Sequence, residues 1–430
     1  MPRILALIFS VLLSLPSFGA TLINDTETEK LLYELIEPLA SAADIPKNRL
    51  QIHIVNDDDF NAFVSGGEDV YVYTGLLRQI KNPSAFQAVI AHEMGHMLGG
   101  HTAQLSDRMS AEMKRTMLIQ ALGIGLMVAG GNPTLGAGVM AGAGGVAQQS
   151  MLAFTRDEER IADNMGVDLM HRAKLDTNGF ITVFEQMHEM TGAFETKINP
   201  NRINHPLTTE RLNNVRTQIE RLGKKSDSAP SNETSAFELV RAKLIGYLDT
   251  SSHVLNLYPY SDKSDSAIYA RAISNMRIGD LTTARSGTKT LINRNPNNPY
   301  FYELLGDIEY QLGNYDDSVS AYEKSLELTN DAPQIETALA LVLTARNGVG
   351  DNAHAIELCK RSLLHEPAPL TYWVLARAYG DTDAGRSDWA MAEYYNMIGK
   401  DKDAKKYAKH AQRKLKKSDS EYIKSGELLK

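Results

Sequence analysis

A repeat of 34 residues constrains the fold of this chain more than any other feature of its 430-residue sequence. Gly279 and Gly313 lie 34 positions apart, and each stands in a polar turn between two helix-like segments. If repeats begin at Asp265 and Pro299, small residues recur where paired helices would cross. This spacing predicts helical hairpins that stack into an all-α solenoid.

The pattern of small and aromatic residues resembles the tetratricopeptide repeat. Ala272 and Gly306 occupy the eighth position of the first two repeats, and Tyr322 occupies the twenty-fourth position of the second. Less regular units follow, with small, aromatic or proline residues at Ala355, Ser362, Pro367, Tyr372, Ala376, Tyr379, Ala392, Gly399, Ala404 and Ala411. An unrelated helical bundle is the alternative.

A polar stretch without apolar periodicity, Gly223–Ser235, divides the chain and is predicted to be a linker. Before it, Leu50–Val55 and Asp69–Thr74 are typical of strands, whereas Ser84–Gly99 and Arg156–Ala173 are typical of helices. The predicted order is a signal peptide at 1–20, an α+β domain at 21–222, a linker at 223–235, a connecting helical segment at 236–263, the solenoid at 264–417 and a polar tail at 418–430.

The N-terminus has the pattern of a secretory signal peptide. Arg3 precedes the apolar stretch Ile4–Leu15, which is too short to span a bilayer of about 30 Å. Pro16 ends that stretch, and small residues follow up to Ala20. We therefore expect cleavage near Ala20 and a periplasmic or secreted protein; an uncleaved anchor or a buried N-terminal helix is the alternative.

Composition limits the chemistry that the chain can perform. The formal charge of −8 weighs against a protein that mainly binds nucleic acid. Cys359 is the single cysteine, so neither an intramolecular disulfide nor a cysteine zinc cluster can form. A metal must therefore be held by histidine and carboxylate side chains.

Residues 92–96 read His-Glu-Met-Gly-His. On a helix, His92 and His96 project from one face and can both bind one zinc ion. Glu93 points elsewhere and can act as a general base on a water molecule. The alternative is a surface helix that carries two histidines by coincidence.

A catalytic zinc site needs a third protein ligand. His101 is poorly placed, because it lies about 140° around the helix from His96. Glu159 and Asp163 are separated by one helical turn, so a second helix can offer Glu159 to the metal and Asp163 to a ligand imidazole. The alternative is an ordinary acidic helix face.

These motifs resemble the M48 metallopeptidases over most of residues 25–225. The resemblance rests on Ala91–His96, Glu159–Asp163 and His205–Arg211, and upstream on Asn61–Phe63, Gly66–Gly67 and Thr74–Leu77. It implies a zincin-like α+β fold, one zinc ion on His92, His96 and Glu159, and a catalytic Glu93. It also implies that Asp163 serves as a proton donor in some relatives, whereas its spacing favours an orienting role.

Two residues of the segment His205–Arg211 have open roles. His205 can stabilise the oxyanion of the reaction or occupy the open position of the metal and silence the site. Arg211 can clamp substrate or hold a carboxylate. The alternative is a capped helix start with a solvent-facing Arg211.

Two further stretches are open to interpretation. Residues 117–147 lack charge and are either a buried helical hairpin or an exposed apolar hairpin that contacts a membrane. The basic run within Lys400–Lys417 is typical of the solvated face of a terminal repeat helix.

The combined pattern predicts a zinc endopeptidase with a C-terminal recognition domain. The combination of a leader, an M48-like domain and repeats is similar to that of an envelope member of the family in Gram-negative bacteria. This resemblance implies that the substrates are unfolded or misassembled envelope proteins. It also implies that the repeats bind outer-membrane assembly machinery. An extended peptide is expected to pair with the strand Asp69–Thr74. The alternative function is a chaperone or adaptor whose metal site is idle or latched.

Overall fold

The computed structural model divides into two compact units. The residues that it describes are 21–65, 69–100, 156–193, 205, 208–223, 231–330, 332–365, 367–380 and 382–430. The predicted signal peptide, His101 and the uncharged stretch 117–147 lie outside them. Glu29–Arg241 and the segment ending at Ile23 belong to the N-terminal unit, whereas Asn24–Thr28 and Ala242–Lys430 form the repeat unit.

The N-terminal unit contains a four-stranded sheet in the order β1-β2-β4-β3. Its strands are β1 (Thr21–Ile23), β2 (Gln51–Asn56), β3 (Ala62–Ser65) and β4 (Asp69–Tyr73). The pair β2 and β4 is parallel, and the other two pairs are antiparallel. The strands predicted from Leu50–Val55 and Asp69–Thr74 are thereby confirmed.

The expectation that a peptide pairs with Asp69–Thr74 is wrong. Strand β4 already has β2 on one side and β3 on the other, so its backbone groups are used within the sheet. Strands β1 and β3 form the two edges of the sheet among the described residues, and β3 is the edge next to β4. The short sequence of β3 gives too weak a strand signal to reveal this order.

Helices complete the N-terminal unit and cover the apolar face of the sheet. They are α1 (Thr26–Ala42), which starts in the repeat unit, α2 (Thr74–Gln79), α3 (Pro83–Leu98), α4 (Arg156–Arg172), α5 (Gly179–Ala193), α6 (Thr209–Leu222) and α7 (Ser231–Leu248). Helix α7 begins inside the stretch predicted as a linker and continues across the boundary at Arg241. This division differs from the predicted boundaries at residues 222 and 235.

Helix α3 is the central element of this unit. Asn82 accepts a hydrogen bond from the Ala85 amide, and Pro83 occupies the first helical position, so the helix has a defined start. Almost every residue from Pro83 to His96 is buried, Phe86 and Ile90 completely. The sequence is apolar around most of the helix, which explains why it lies in the interior rather than on the surface.

The repeat unit is all-helical, as predicted. After α8 (Ser251–Leu257), five hairpins follow: α9 (Asp265–Arg277) with α10 (Leu281–Arg294), α11 (Pro299–Leu312) with α12 (Tyr315–Leu328), α13 (Pro333–Arg346) with α14 (Asp351–His365), α15 (Pro369–Tyr379) with α16 (Ala384–Met397), and α17 (Asp401–Lys414) with α18 (Ser420–Glu427). The first three hairpins start 34 residues apart. No helix among the described residues has the length and apolarity needed to span a bilayer.

The contact between Gly306 and Tyr322 explains why the repeat requires a small residue at this place. A Cβ atom on Gly306 would lie 2.8 Å from the Tyr322 ring, closer than side chains tolerate. The Tyr322 ring therefore packs directly on the α11 backbone. The tetratricopeptide pattern predicted from these two positions is confirmed by the paired helices, and so is the fold class of an α+β domain followed by a repeat solenoid.

A buried ionic cluster centred on Lys243 holds residues 24–28 within the repeat unit. The Lys243 amino group lies 2.5 Å from Asp25, 3.3 Å from Glu27 and 3.5 Å from Glu303. Tyr269 donates a hydrogen bond of 2.9 Å to Glu27. One cation faces three carboxylates, so burial dominates at Glu303 and raises its pKa to about 8 despite the attraction of Lys243.

We predict that Glu303→Gln makes stability less dependent on pH. The folded pKa of Glu303 is about 8, above the unfolded value, so the folded state binds more protons and loses stability as the pH rises through that value. The midpoint of thermal unfolding should fall less in the variant between roughly pH 6 and pH 9. Glu323→Gln, an exposed change on α12, serves as the control. A pH dependence equal to that of the wild type would contradict the prediction.

Candidate active site

Helix α3 presents two histidines on one buried face. His92 and His96 are one turn apart, and their Nε2 atoms lie 3.1 Å from each other. Only 8% of His92 and 1% of His96 is exposed. Two imidazole nitrogens at this distance can both bind one cation.

A close approach of α4 to α3 supplies the acidic residues. A Cβ atom on Gly95 would lie 2.4 Å from the carbonyl oxygen of Ala162, so only glycine allows the two backbones to come this near. On α4, one turn after Ala162, Gly166 has the same role: a Cβ atom there would lie 2.9 Å from the Ala91 carbonyl oxygen of α3. The approach places Glu159, which is completely buried, beside both histidines.

Four side chains converge on a volume that fits a single metal ion. Donor atoms of His92, His96, Glu159 and His205 all lie within 4.8 Å of one another. His92 Nε2 is 3.3 Å from His205 Nδ1 and 3.5 Å from Glu159 Oε2, and His96 Nε2 is 3.4 Å from Glu159 Oε1. Tetrahedral ligands at about 2.0–2.1 Å from zinc stand about 3.3–3.4 Å apart. The residues present therefore fit this ion in both donor chemistry and spacing.

His205 lies inside this donor set. Its Nδ1 atom is 2.7 Å from Glu159 Oε1, and its Nε2 atom is 3.4 Å from Glu93 Oε1. The sequence led us to expect His205 near the metal site, and the structure places it beside the candidate metal ligands. The residue bridges the candidate metal ligands and the candidate general base.

Asp163 stands behind His92 and is held by Arg211. An Asp163 oxygen lies 2.9 Å from His92 Nδ1, and Arg211 donates to both carboxylate oxygens at 2.7 and 2.8 Å. Burial opposes ionisation, but the hydrogen bonds from Arg211 and the nearby His92 lower the pKa of Asp163. An ionised carboxylate that is engaged on both oxygens is suited to orient His92 rather than to donate a proton.

Arg211 is buried and does not face solvent, contrary to the alternative left open by the sequence. Thr208 accepts a hydrogen bond from the Arg211 amide and thereby caps α6. The guanidinium also lies 2.6 Å from Glu159 Oε2 and stacks 5.3 Å from the Phe184 ring. One cation thus compensates two of the buried carboxylates of α4, Glu159 and Asp163.

The buried charges shift the ionisation of the side chains around the candidate centre. Burial raises the pKa of Glu93 and so brings it closer to the operating pH, where a general base works best. Burial and two neighbouring imidazoles lower the pKa of His96 to about 4 despite Glu159. Burial alone would raise the pKa of Glu159, but three histidines near it hold this pKa below its usual range.

A cleft of about 540 Å³, including its open mouth, adjoins His92, Glu93 and His205. One wall consists of Phe60, Asn61 and Ala62, which lead into edge strand β3. The other wall is largely apolar and contains side chains of α3 and α5: Ala88, Val89, Phe180, Val183, Phe184 and Met187. Sequence reasoning missed the wall of α5, although its apolar residues recur at helical spacing.

Comparison with known proteins finds a family that matches the part of the chain carrying these residues. Residues 26–219 match the family described as "Peptidase family M48". The chain therefore carries a peptidase M48 domain. This match confirms the predicted family and the prediction of a metallopeptidase.

Curated relatives have related descriptions. The Beta-barrel assembly-enhancing protease of Escherichia coli (strain K12) is 25% identical over 334 residues, which cover 75% of this chain and 66% of the relative. Metalloprotease YcaL of the same strain is 28% identical over 37% of this chain and 59% of its own length. The mitochondrial metalloendopeptidase OMA1 of Schizosaccharomyces pombe is 28% identical over 33% of this chain and 39% of its own length.

We predict that His96→Ala abolishes stoichiometric metal binding. The change removes one of the two imidazoles that helix α3 fixes side by side, and Glu159 loses the second of the histidine nitrogens it faces across the donor set. Zinc content per chain should be measured by mass spectrometry after dialysis of the full-length protein. His253→Ala, an exposed histidine of the repeat unit, is the matched control and should retain the wild-type content. Full zinc content in His96→Ala would exclude this donor set.

Proposed function

We propose that the protein is a zinc-dependent endopeptidase of the bacterial envelope. The observation that carries the proposal is the convergence of His92, His96 and Glu159 beside Glu93 at the end of an open cleft. The M48 family match supports the reaction class.

Different residues of the site have different roles in the proposed peptide hydrolysis. Bound zinc would polarise the scissile carbonyl and lower the pKa of water to about 7. Glu93 accepts a proton from the attacking water and delivers it to the leaving amine. Asp163 orients the His92 ring, and Arg211 keeps Asp163 ionised while its guanidinium contacts Glu159.

An extended peptide would bind along the edge strand. Strand β3 is one of the two edge strands among the described residues, and it borders the cleft, because Ala62 belongs both to β3 and to the cleft wall. Backbone pairing with β3 would lead the peptide past His92 and Glu93. This edge replaces Asp69–Thr74 in the substrate-binding proposal.

We place the activity in quality control or assembly of outer-membrane proteins. The name of the Escherichia coli relative and the signal peptide predicted at residues 1–20 support a periplasmic location. Unfolded or misassembled envelope proteins are the proposed substrates. The repeats offer a surface for assembly machinery, and residues 117–147 offer a segment for peripheral membrane contact.

A second candidate function is that of a chaperone or adaptor with a latched metal site. The position of His205 favours it, because its Nδ1 atom would complete a four-ligand set with no open position. In that state the repeats would bind client proteins while proteolysis is suppressed.

We predict that Glu93→Gln abolishes proteolysis while zinc content and fold are retained. The change removes the general base, and such a loss typically lowers the rate by roughly 10²–10⁴-fold. The measurement is cleavage of unfolded envelope proteins by the full-length protein, followed by metal analysis. Glu185→Gln, an exposed carboxyl on α5, is the control. Turnover near that of the wild type in Glu93→Gln would refute the catalytic assignment.

We predict that His205→Ala raises the basal rate of proteolysis by opening the fourth position of the metal. Zinc should remain bound, since His92, His96 and Glu159 are intact. Initial rates on casein, with zinc content measured in parallel, test this outcome. A lower rate with zinc retained would contradict the latch and assign His205 to the stabilisation of the oxyanion.

A further inference from the structure

A row of aromatic rings crosses the outer face of the sheet and ends at its edge. His53 of β2 pairs with Tyr71 of β4, and Tyr71 pairs with Phe63 of β3. The rings of His53 and Tyr71 are stacked with centroids 4.6 Å apart, and those of Tyr71 and Phe63 are stacked at 4.6 Å with an angle of 8° between planes. Three successive strands thus contribute one ring each.

The spacing of the rings follows the spacing of the strands. Neighbouring strands lie about 4.7–4.9 Å apart. A further strand paired with β3 would therefore place its own side chain beside Phe63 at nearly the distance that separates the existing rings. Phe63 is 36% exposed and ends the row.

The same edge borders the catalytic cleft. Phe63 directly follows Ala62, which lines the cleft with His92 and Glu93. Along β3, Ala62 and Val64 are buried against the helices, whereas Phe63 and Ser65 face outward. Because side chains of a strand alternate, a peptide paired with β3 would direct every second residue toward Phe63 and the others toward the cleft.

We propose that Phe63 selects substrates that carry an aromatic side chain at the outward-facing position beside it. This inference rests on the proposed endopeptidase function and names its substrate class: extended segments with aromatic residues in an alternating pattern. The incoming ring would extend the stacked row by one member. Offset-stacked aromatic pairs add stabilisation beyond the burial of area.

The experiment measures cleavage of short quenched fluorescent peptides by the full-length zinc protein. The peptides share a host of alanine, threonine and lysine, with one phenylalanine moved through each position. A peptide whose phenylalanine stands at one of the alternating positions that face Phe63 should have a higher kcat/KM than the same peptide with alanine there. Phe63→Ala should reduce that gain by about 3- to 10-fold at the outward set only, and Phe63→Tyr should retain it.

Control variants separate recognition from a general loss of structure. Tyr260→Ala removes an exposed aromatic of the repeat unit and should leave the preference unchanged. A preference that persists in Phe63→Ala overturns the inference. A change in oligomeric state of Phe63→Ala in sedimentation, without any change in preference, also overturns it and assigns the edge to a second copy of the chain.

Binding without cleavage distinguishes this inference from the proposed function. Labelled peptides are titrated into full-length Glu93→Gln, and anisotropy reports their affinity. Tighter binding of phenylalanine peptides that depends on Phe63 supports the inference even if the wild type cleaves none of them, in which case the endopeptidase proposal fails alone. If the wild type cleaves peptides but neither cleavage nor binding depends on Phe63, the inference fails alone.

Discussion

The close approach of α3 and α4 is the constraint on which the candidate site depends. A side chain at Gly95 would collide with the Ala162 carbonyl, so glycine at this position allows Glu159 to reach His92 and His96. The apolar burial of α3 holds this geometry in the interior. The candidate metal site is therefore a product of helix packing, and a shift of either helix would separate its donor atoms.

Packing alone would leave the site electrostatically unstable. Glu159 and Asp163 are nearly inaccessible to water, and two buried carboxylates without compensation would cost several kcal/mol. Arg211 contacts both of them, and the Thr208 cap defines the start of the helix that carries Arg211. His205 and Arg211, from a distant part of the chain, thus complete the site. Arg211 supplies the cation, and His205 supplies an imidazole of the candidate donor set.

Local patterns predicted the elements and most of the donor set. Two patterns depend only on regular helices and could be recognised in the sequence: the i, i+4 spacing of His92 and His96, and the 34-residue period. Strand order was not, because it depends on which strands pair: β4 was expected to be free and is flanked on both sides. The contact of Arg211 with Glu159, like the inclusion of residues 24–28 in the repeat unit, arises from tertiary packing that no short motif encodes.

Zinc X-ray absorption on the purified full-length protein tests the central claim most directly. The account predicts four nitrogen and oxygen neighbours at about 2.0–2.1 Å, with the multiple-scattering signature of at least the two imidazoles of His92 and His96. A sulfur neighbour at about 2.3 Å, or a shell of six oxygens without imidazole scattering, would contradict the donor set on which the account rests.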